Sequence, residues 1–209
     1  EGKKIVVDLL KEGLIDLKIP EEVTCVDIGY PFSSEFPCKI KSVFVSKNVK
    51  KIVSLGELET VETIKVDKDN SIYDSRNNCN AIIETSTDKL IAGCKNTVIP
   101  NSVEEIGERA FRGTGITTIN LPDGLKKIGM YAFSKCTQLR SLTIPASVSE
   151  IGKEIFKSAS NLTEISVDKN NQKYDSSANC NAIIETATDT LIFGCGKTTV
   201  PKDVTKIGD

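Results

Sequence analysis

Across residues 99 to 167 one pattern is spelled three times, as IPNSVEEIGERAFRGTGITTIN, LPDGLKKIGMYAFSKCTQLRSLT and IPASVSEIGKEIFKSASNLTEIS. Ile106, Ile128 and Ile151 mark its period of 22 or 23 residues. A unit that short cannot bury its apolar face alone, so the copies must stack and share a continuous core, which is the logic of a solenoid. A repeat array also makes residues 1–209 one quasi-one-dimensional domain.

Two apolar registers run through each copy. The first is L-x-x-L-x-I, as Ile116/Ile119/Leu121, Leu139/Leu142/Ile144 and Leu162/Ile165/Val167. Its last three positions alternate as a strand does. Pro122 and Pro145 follow directly and turn the chain out of the strand, where a missing backbone donor is tolerated. The second register is I-G-x-x-x-F, as Ile106/Phe111, Ile128/Phe133 and Ile151/Phe156. That spacing reads as one or two helical turns, opened by Gly107, Gly129 and Gly152. One strand and one short helix per coil is the α/β leucine-rich repeat plan, with parallel β-strands on the concave face and helical turns on the convex side.

The strand template recurs outside the central block, at Leu14/Leu17/Ile19, Ile40/Val43/Val45 and Val61/Ile64/Val66. Residues 1–13 carry Ile5, Val6, Leu9 and Leu10 at helical spacing and stop on Gly13, so they read as an N-terminal helical half-coil. Within residues 20–45, YPFSSEFP breaks any helix and reads as a loop. A longer repeat overlays the first, since residues 66–100 return as residues 167–201 at a constant offset of 101. Inside it, apolar runs at 81–84 and 90–92, and again at 182–185 and 191–193, flank a polar stretch. Such a pattern signals a β-hairpin. These inserts, in the coils at 66–99 and 167–200, are expected to project from the solenoid and stand in for a helix. Eight strands in one sheet are expected in all, ending at Ile19, Val45, Val66, Ile99, Leu121, Ile144, Val167 and Val200. Residues 201–209 open another I-G-x-x-x-F turn and read as an incomplete last coil.

Written out, the consensus IPxSVxxIGxxAFxxCxxLxxLxIP, seen here in residues 99–111 and 121–145, resembles the BspA-like leucine-rich repeats. The C-N-A-I-I-E-T…L-I-x-G-C segments resemble inserts found among such repeats in gut and oral bacteria. The likeness extends over nearly the whole chain. The irregular coil at 20–45 departs from the pattern, as does the coil at 45–66, which lacks the I-G and A-F pairs. The resemblance implies a bacterial protein, secreted or displayed at the cell surface, that binds host extracellular or bacterial surface proteins, adhesins among them.

Composition excludes several alternatives. The net charge is −2, from 27 basic and 29 acidic residues that are interspersed, so there is no basic stripe to attract nucleic acid. No apolar run approaches the roughly 18 residues of a membrane-spanning helix, and no leader pattern opens the sequence. A monomer is expected. With no histidine there is no Ser-His-Asp or Cys-His pair, and with no C-x-x-C either a zinc site is not expected. Glu84 and Glu185 hold equivalent places 101 residues apart, too distant on a solenoid to act as a glycosidase pair. Asp67-Lys68-Asp69-Asn70 starts like a calcium loop but lacks the later glycine and glutamate. The expectation is a protein that is no enzyme and has no cofactor or metal.

Seven cysteines stand at 25, 38, 79, 94, 136, 180 and 195. If each hairpin pairs symmetrically, Cys79 comes opposite Cys94 and Cys180 opposite Cys195, as candidate disulfides. The other reading is buried thiols, since cysteine is among the most buried residue types.

Strand alternation directs the x positions of L-x-x-L-x-I away from the core. They form a ladder of Lys18, Phe44, Lys65, Val98, Asn120, Thr143, Ser166 and Thr199. Phe44 offers an apolar anchor, and Lys18, Lys41, Lys65 and Arg140 offer charge along the same concave face, with Asn120 and Thr143 further along. Serine and threonine are also ordinary strand residues, so a merely solvated sheet would carry a similar ladder. The function expected is protein–protein interaction or adhesion through this face. The alternative is a recognition or spacer arm of a larger multidomain protein whose activity lies elsewhere.

Overall fold

The structure is a computed structural model that describes residues 4–5, 15–27, 40–55 and 58–208. Leu14, Cys38, the YPFSSEFP loop and most of the expected N-terminal half-coil lie outside them. Lys4–Ile5, read from sequence as the start of that helical segment, is instead a strand paired in parallel with Cys25–Asp27.

The coils stack as a solenoid, and the described residues of each coil build two walls. Asp16–Lys18, Ser42–Val45 and Thr63–Val66 form one three-stranded parallel sheet, and Ser141–Ile144 pairs in parallel with Glu164–Val167 further along. These strands carry the L-x-x-L-x-I register. Leu17, Val43, Ile64, Leu142 and Ile165 point into the core, as the alternation requires.

The opposite wall differs from the helical expectation. Glu105–Ile106, Lys127–Ile128 and Glu150–Ile151 are two-residue strands in parallel register, Ile106 opposite Ile128 and Ile128 opposite Ile151. The F-bearing stretches that follow are consecutive turns, and the only helices among the described residues are the 3-10 turns Arg76–Asn78 and Ser177–Asn179. The physical reason is where the amides bond. Arg109, Phe111 and Gly113 donate to the carbonyls of Met130, Ala132 and Ser134 in the next coil, and Tyr131, Phe133 and Lys135 donate to Lys153, Ile155 and Lys157. An α-helix would use those groups internally, four residues back. The left-handed φ of Arg109, Tyr131 and Glu154, at 58°, 58° and 51°, also excludes a continuous helix.

Corners between the walls come from I-P-x-x-V. The amides of Val103, Leu125 and Val148 close four-residue β-turns onto the carbonyls of Pro100, Pro122 and Pro145, and the side chains of Val103, Leu125 and Val148 are buried. Gly129 and Gly152 then permit a close stack. A Cβ at Gly129 would lie 2.7 Å from Glu108 N, so the coils could not approach as they do with any other residue there.

The inserted hairpins are also more integrated than expected. Tyr73–Asp74, Ala81–Glu84 and Lys89–Gly93 form an antiparallel meander, and Lys89–Gly93 then pairs in parallel with Glu105–Ile106. Rather than projecting, the insert supplies the second wall with its next strand. The copy at Tyr174–Asp175, Ala182–Glu185 and Thr190–Gly194 does the same, ending against Lys206–Ile207.

This integration breaks the expected eight-stranded sheet. Segments ending at Ile99, Leu121 and Val200 are not strands. Val98 N donates to Cys79 O and Thr199 N to Cys180 O, so the insert captures amides that an uninterrupted sheet would take. Residues 117–121, left beside that gap, keep a link through Arg140 N to Thr117 O.

A phenylalanine column runs through the core. Phe111 stacks on Phe133 and Phe133 on Phe156, with centroids 5.4 and 6.1 Å apart, and Phe193 closes the column edge-on at 6.0 Å from Phe156.

Candidate protein-binding face

Three of the seven candidate residues meet in one rung. Lys18 lies opposite Phe44 and Phe44 opposite Lys65 in the three-stranded sheet. The strands put Leu17, Val43 and Ile64 inward at the preceding positions, so this rung faces out. The ring of Phe44 is half-buried, with Lys18 Nζ 5.7 Å from its centroid, and the Lys18 and Lys65 side chains are exposed. A cation at that distance is held by the ring quadrupole while its remaining donors stay in water.

The adjoining rung, Asp16, Ser42 and Thr63, is tied by a 2.5 Å bond from Ser42 Oγ to Asp16 Oδ1. Lys41 stands at the strand entrance and is engaged by Glu62 at 3.2 Å. Its charge is locally answered, which makes it a weaker contact than its position suggested. The pair is exposed and of low energetic value.

The remaining candidates are not part of this cluster. Thr143 belongs to the two-stranded sheet and shares a 2.8 Å hydrogen bond with Ser166. Arg140 is exposed at the entrance to that sheet, its carbonyl accepting from Thr163 and Glu164. Asn120 is exposed in the segment that forms no strand. The ladder read from the sequence is thus two patches, divided by the insert-bearing coil. Val98, within that coil, is 72% exposed.

What the sequence did not single out are the side chains that fasten each insert to the solenoid. Asn70 Nδ2 donates to the carbonyls of Ser46 and Val49 in the coil before, while its Oδ1 accepts from the amides of Ile72 and Tyr73. Asn171 repeats all four bonds, to Pro145, Val148, Lys173 and Tyr174. The carboxylate of the calcium-like start is likewise structural: Asp67 Oδ1 accepts from Asp69 N in a turn. A signal was available, since both asparagines recur at the 101-residue offset whereas Asp69 becomes Asn170.

Arg76 anchors the first insert to its neighbours, bonding Asp74 at 2.7 Å, Asp88 at 2.5 Å and Ser102 at 3.2 Å. Burial pushes the Asp74 carboxyl up, but hydrogen bonds from Arg76 and Thr85 outweigh it and hold the group below its ordinary range.

The six described cysteines are free thiols. Cys79 Sγ is turned to Ala81 O at 3.8 Å and Cys94 Sγ to Asn80 O at 3.3 Å, with Cys180 and Cys195 arranged alike. Cys136 Sγ reaches Phe111 O in the coil before it, at 2.9 Å, and burial pushes its thiol up to about 11.

A family model, the BspA type leucine rich repeat region, matches residues 89–192 in six copies. The chain is a BspA-type leucine-rich repeat protein. Among solved structures it is similar to a leucine-rich repeat protein from Eubacterium ventriosum, with a TM-score of 0.61 and 20% identity over 73% of this chain and 42% of that one. This chain therefore spans about two fifths of that protein's length. The pneumococcal vaccine antigen PcpA is 15% identical with a TM-score of 0.49, over 75% of this chain and 51% of that one. A leucine rich cell surface protein from Faecalibacterium prausnitzii is 18% identical with a TM-score of 0.41, over 93% of this chain and 59% of that one. Both overlay more loosely. No curated protein sequence matches the chain.

Among the described residues no group of His, Cys, Asp or Glu could hold a metal ion, and no helix is long and apolar enough to cross a membrane.

Proposed function

We propose that this BspA-type protein is a secreted or cell-surface binding module, without catalytic activity of its own, that holds a partner protein on the face bearing Lys18, Phe44 and Lys65. The observation that carries the reading is the rung itself: an aromatic ring half open to solvent, flanked across the sheet by two lysines. Aromatic side chains are enriched where protein interfaces are most buried, and a few such residues dominate binding energy. The partner surface that fits presents an apolar pocket rimmed by carboxylates, because complementary charge steers association and fixes register. Residues of the second patch, Arg140, Thr143 and Asn120, extend the contact for a partner long enough to pass the insert.

The test is capture from host extracellular and bacterial surface proteins, followed by affinity measurement with variants. Phe44→Ala should weaken binding about tenfold or more. Lys65→Glu should slow association and reduce its salt dependence. Lys127→Glu, on the opposite wall, should leave affinity unchanged; the reverse pattern would move the site to that wall.

A further inference from the structure

The two inserts share one frame but differ in the charges it carries. At the offset of 101, Asp74, Asp88 and Ser102 correspond to Asp175, Asp189 and Asp203, whereas Arg76 corresponds to Ser177. The backbones match. Asp74 stands opposite Ile83 as Asp175 does opposite Ile184, and Asp88 and Asp189 both take a left-handed φ, 52° and 47°. Asp88 O accepts from Glu104 N at 3.1 Å and Asp189 O from Thr205 N at 3.0 Å, and Val103 and Val204 close the same turn onto Pro100 and Pro201.

In the first insert these carboxylates hold a guanidinium. Arg76 Nε and Nη2 donate to the two oxygens of Asp74 at 2.9 and 2.7 Å, while Nη1 donates to Asp88 at 2.5 Å and to Ser102 at 3.2 Å. The second insert keeps the backbone part of that arrangement, with Ser177 N donating to Asp175 Oδ1 at 2.9 Å as Arg76 N does to Asp74 Oδ1. It lacks the guanidinium, and a third carboxylate, Asp203, replaces the Ser102 hydroxyl. Thr85 donates to Asp74 Oδ2, but its counterpart Thr186 turns to Lys173 O at 3.1 Å. Among the described residues no lysine or arginine pairs with Asp175, Asp189 or Asp203. Burial raises the Cys180 thiol, and Asp175 and Asp203 both raise it further, which puts these two carboxylates in one neighbourhood. The place lies on the flank of the array: the Arg76, Asp74 and Asp88 side chains stay 25%, 29% and 39% exposed although further coils stack beyond them.

We infer that Asp175, Asp189 and Asp203 form a binding site for an arginine side chain of a partner protein, whose guanidinium enters where that of Arg76 lies in the first insert. The chemistry is selective. A planar fork reaches separate carboxylates from its two sides, as Arg76 does, whereas an ammonium is a point charge that cannot satisfy both. A metal ion is a poorer fit still, since no acidic group among the described residues converges closely enough to hold one. Serine at 177 leaves the volume of the Arg76 side chain open to a group arriving from solvent. The site is distinct from the Phe44 face, whose lysines favour an acidic partner surface.

The probe is the peptide acetyl-Gly-Arg-Gly-amide, titrated into isotope-labelled protein and followed by the amide NMR signals, beside the same peptide with lysine or citrulline in the middle. Saturable shifts are expected at Ser177 and Asp189 and not at Arg76 or Asp88. The lysine peptide should bind about tenfold more weakly, the equivalent of one charge-assisted hydrogen bond. The citrulline peptide, which keeps the shape and loses the charge, should not bind. Ser177→Arg should abolish binding by filling the site from within, and Asp189→Asn, at an exposed turn, should weaken it with the rest of the spectrum unchanged. Arg76→Ser should open a second site in the first insert. No saturable shift in the parent, equal shifts with the lysine peptide, or undiminished binding to Ser177→Arg would overturn the proposal.

Discussion

The ring of Phe133 lies on that of Phe111 with their planes 11° from parallel, although the two residues belong to different coils. Both are fully buried, and each is set in place by amides that bond to the next coil rather than within a helix. Removing a ring from the middle of such a column leaves a cavity that neighbours held by inter-coil bonds cannot collapse into. Phe133→Ala should therefore cost about 3 to 5 kcal/mol in chemical denaturation. Phe193, which ends the column edge-on and is partly exposed, should cost less when changed to alanine.

Asn171 is buried and makes four hydrogen bonds that join two coils. Its replacement by Ala orphans two carbonyls and two amides, and should cost about 2 to 4 kcal/mol. Asn171→Asp removes the donor and adds charge to a buried place, so it should be at least as harmful at neutral pH. Urea unfolding of both variants checks this, and Asn70→Ala should repeat the effect in the first insert.

Arg76→Met should destabilise by roughly 1 to 2 kcal/mol at pH 7, a figure kept small because the cluster is partly open to solvent. The Asp74 carboxyl is held below its ordinary range, so its contribution is fully present above the unfolded value near about 3.9 and is lost as pH falls through the lower folded value. The difference between parent and Arg76→Met should accordingly narrow below about pH 4. A difference unchanged down to pH 2 would show that Asp74 is not the partner that matters.

The thiol arrangement predicts that the protein unfolded in guanidine without reductant titrates at least six free thiols, those of Cys25, Cys79, Cys94, Cys136, Cys180 and Cys195. Native protein should react slowly at Cys79, Cys94, Cys136 and Cys180, all buried. Three thiols in the unfolded, unreduced protein would mean that Cys79–Cys94 and Cys180–Cys195 are disulfides after all.

Much of this fold was legible because L-x-x-L-x-I alternates, and alternation reports directly on which side chains face inward. The second wall was misread for a definite reason. Ile106 and Phe111 are five residues apart, a spacing that a helix and a pair of turns both satisfy. What separates them is the bonding of Arg109, Phe111 and Gly113 to residues about 21 positions away, which local spacing does not encode. The break in the first wall has a similar origin, since Val98 fits the strand template but spends its amide on Cys79. Of the binding face, Phe44 with its two lysines was readable because strand register alone brings them together. The neutralisation of Lys41 by Glu62 was not, because it depends on which neighbour the strand entrance meets.

The proposed function is tested most directly by photo-crosslinking from the face itself. A benzophenone amino acid is placed at position 44 in one protein and at position 127 in another, and each is irradiated in mixtures of host extracellular and bacterial surface proteins. The account predicts saturable adducts from position 44 that unlabelled parent protein competes away and the Phe44→Ala/Lys65→Glu double variant does not. Adducts from position 127 alone, or equal competition by the double variant, would contradict it.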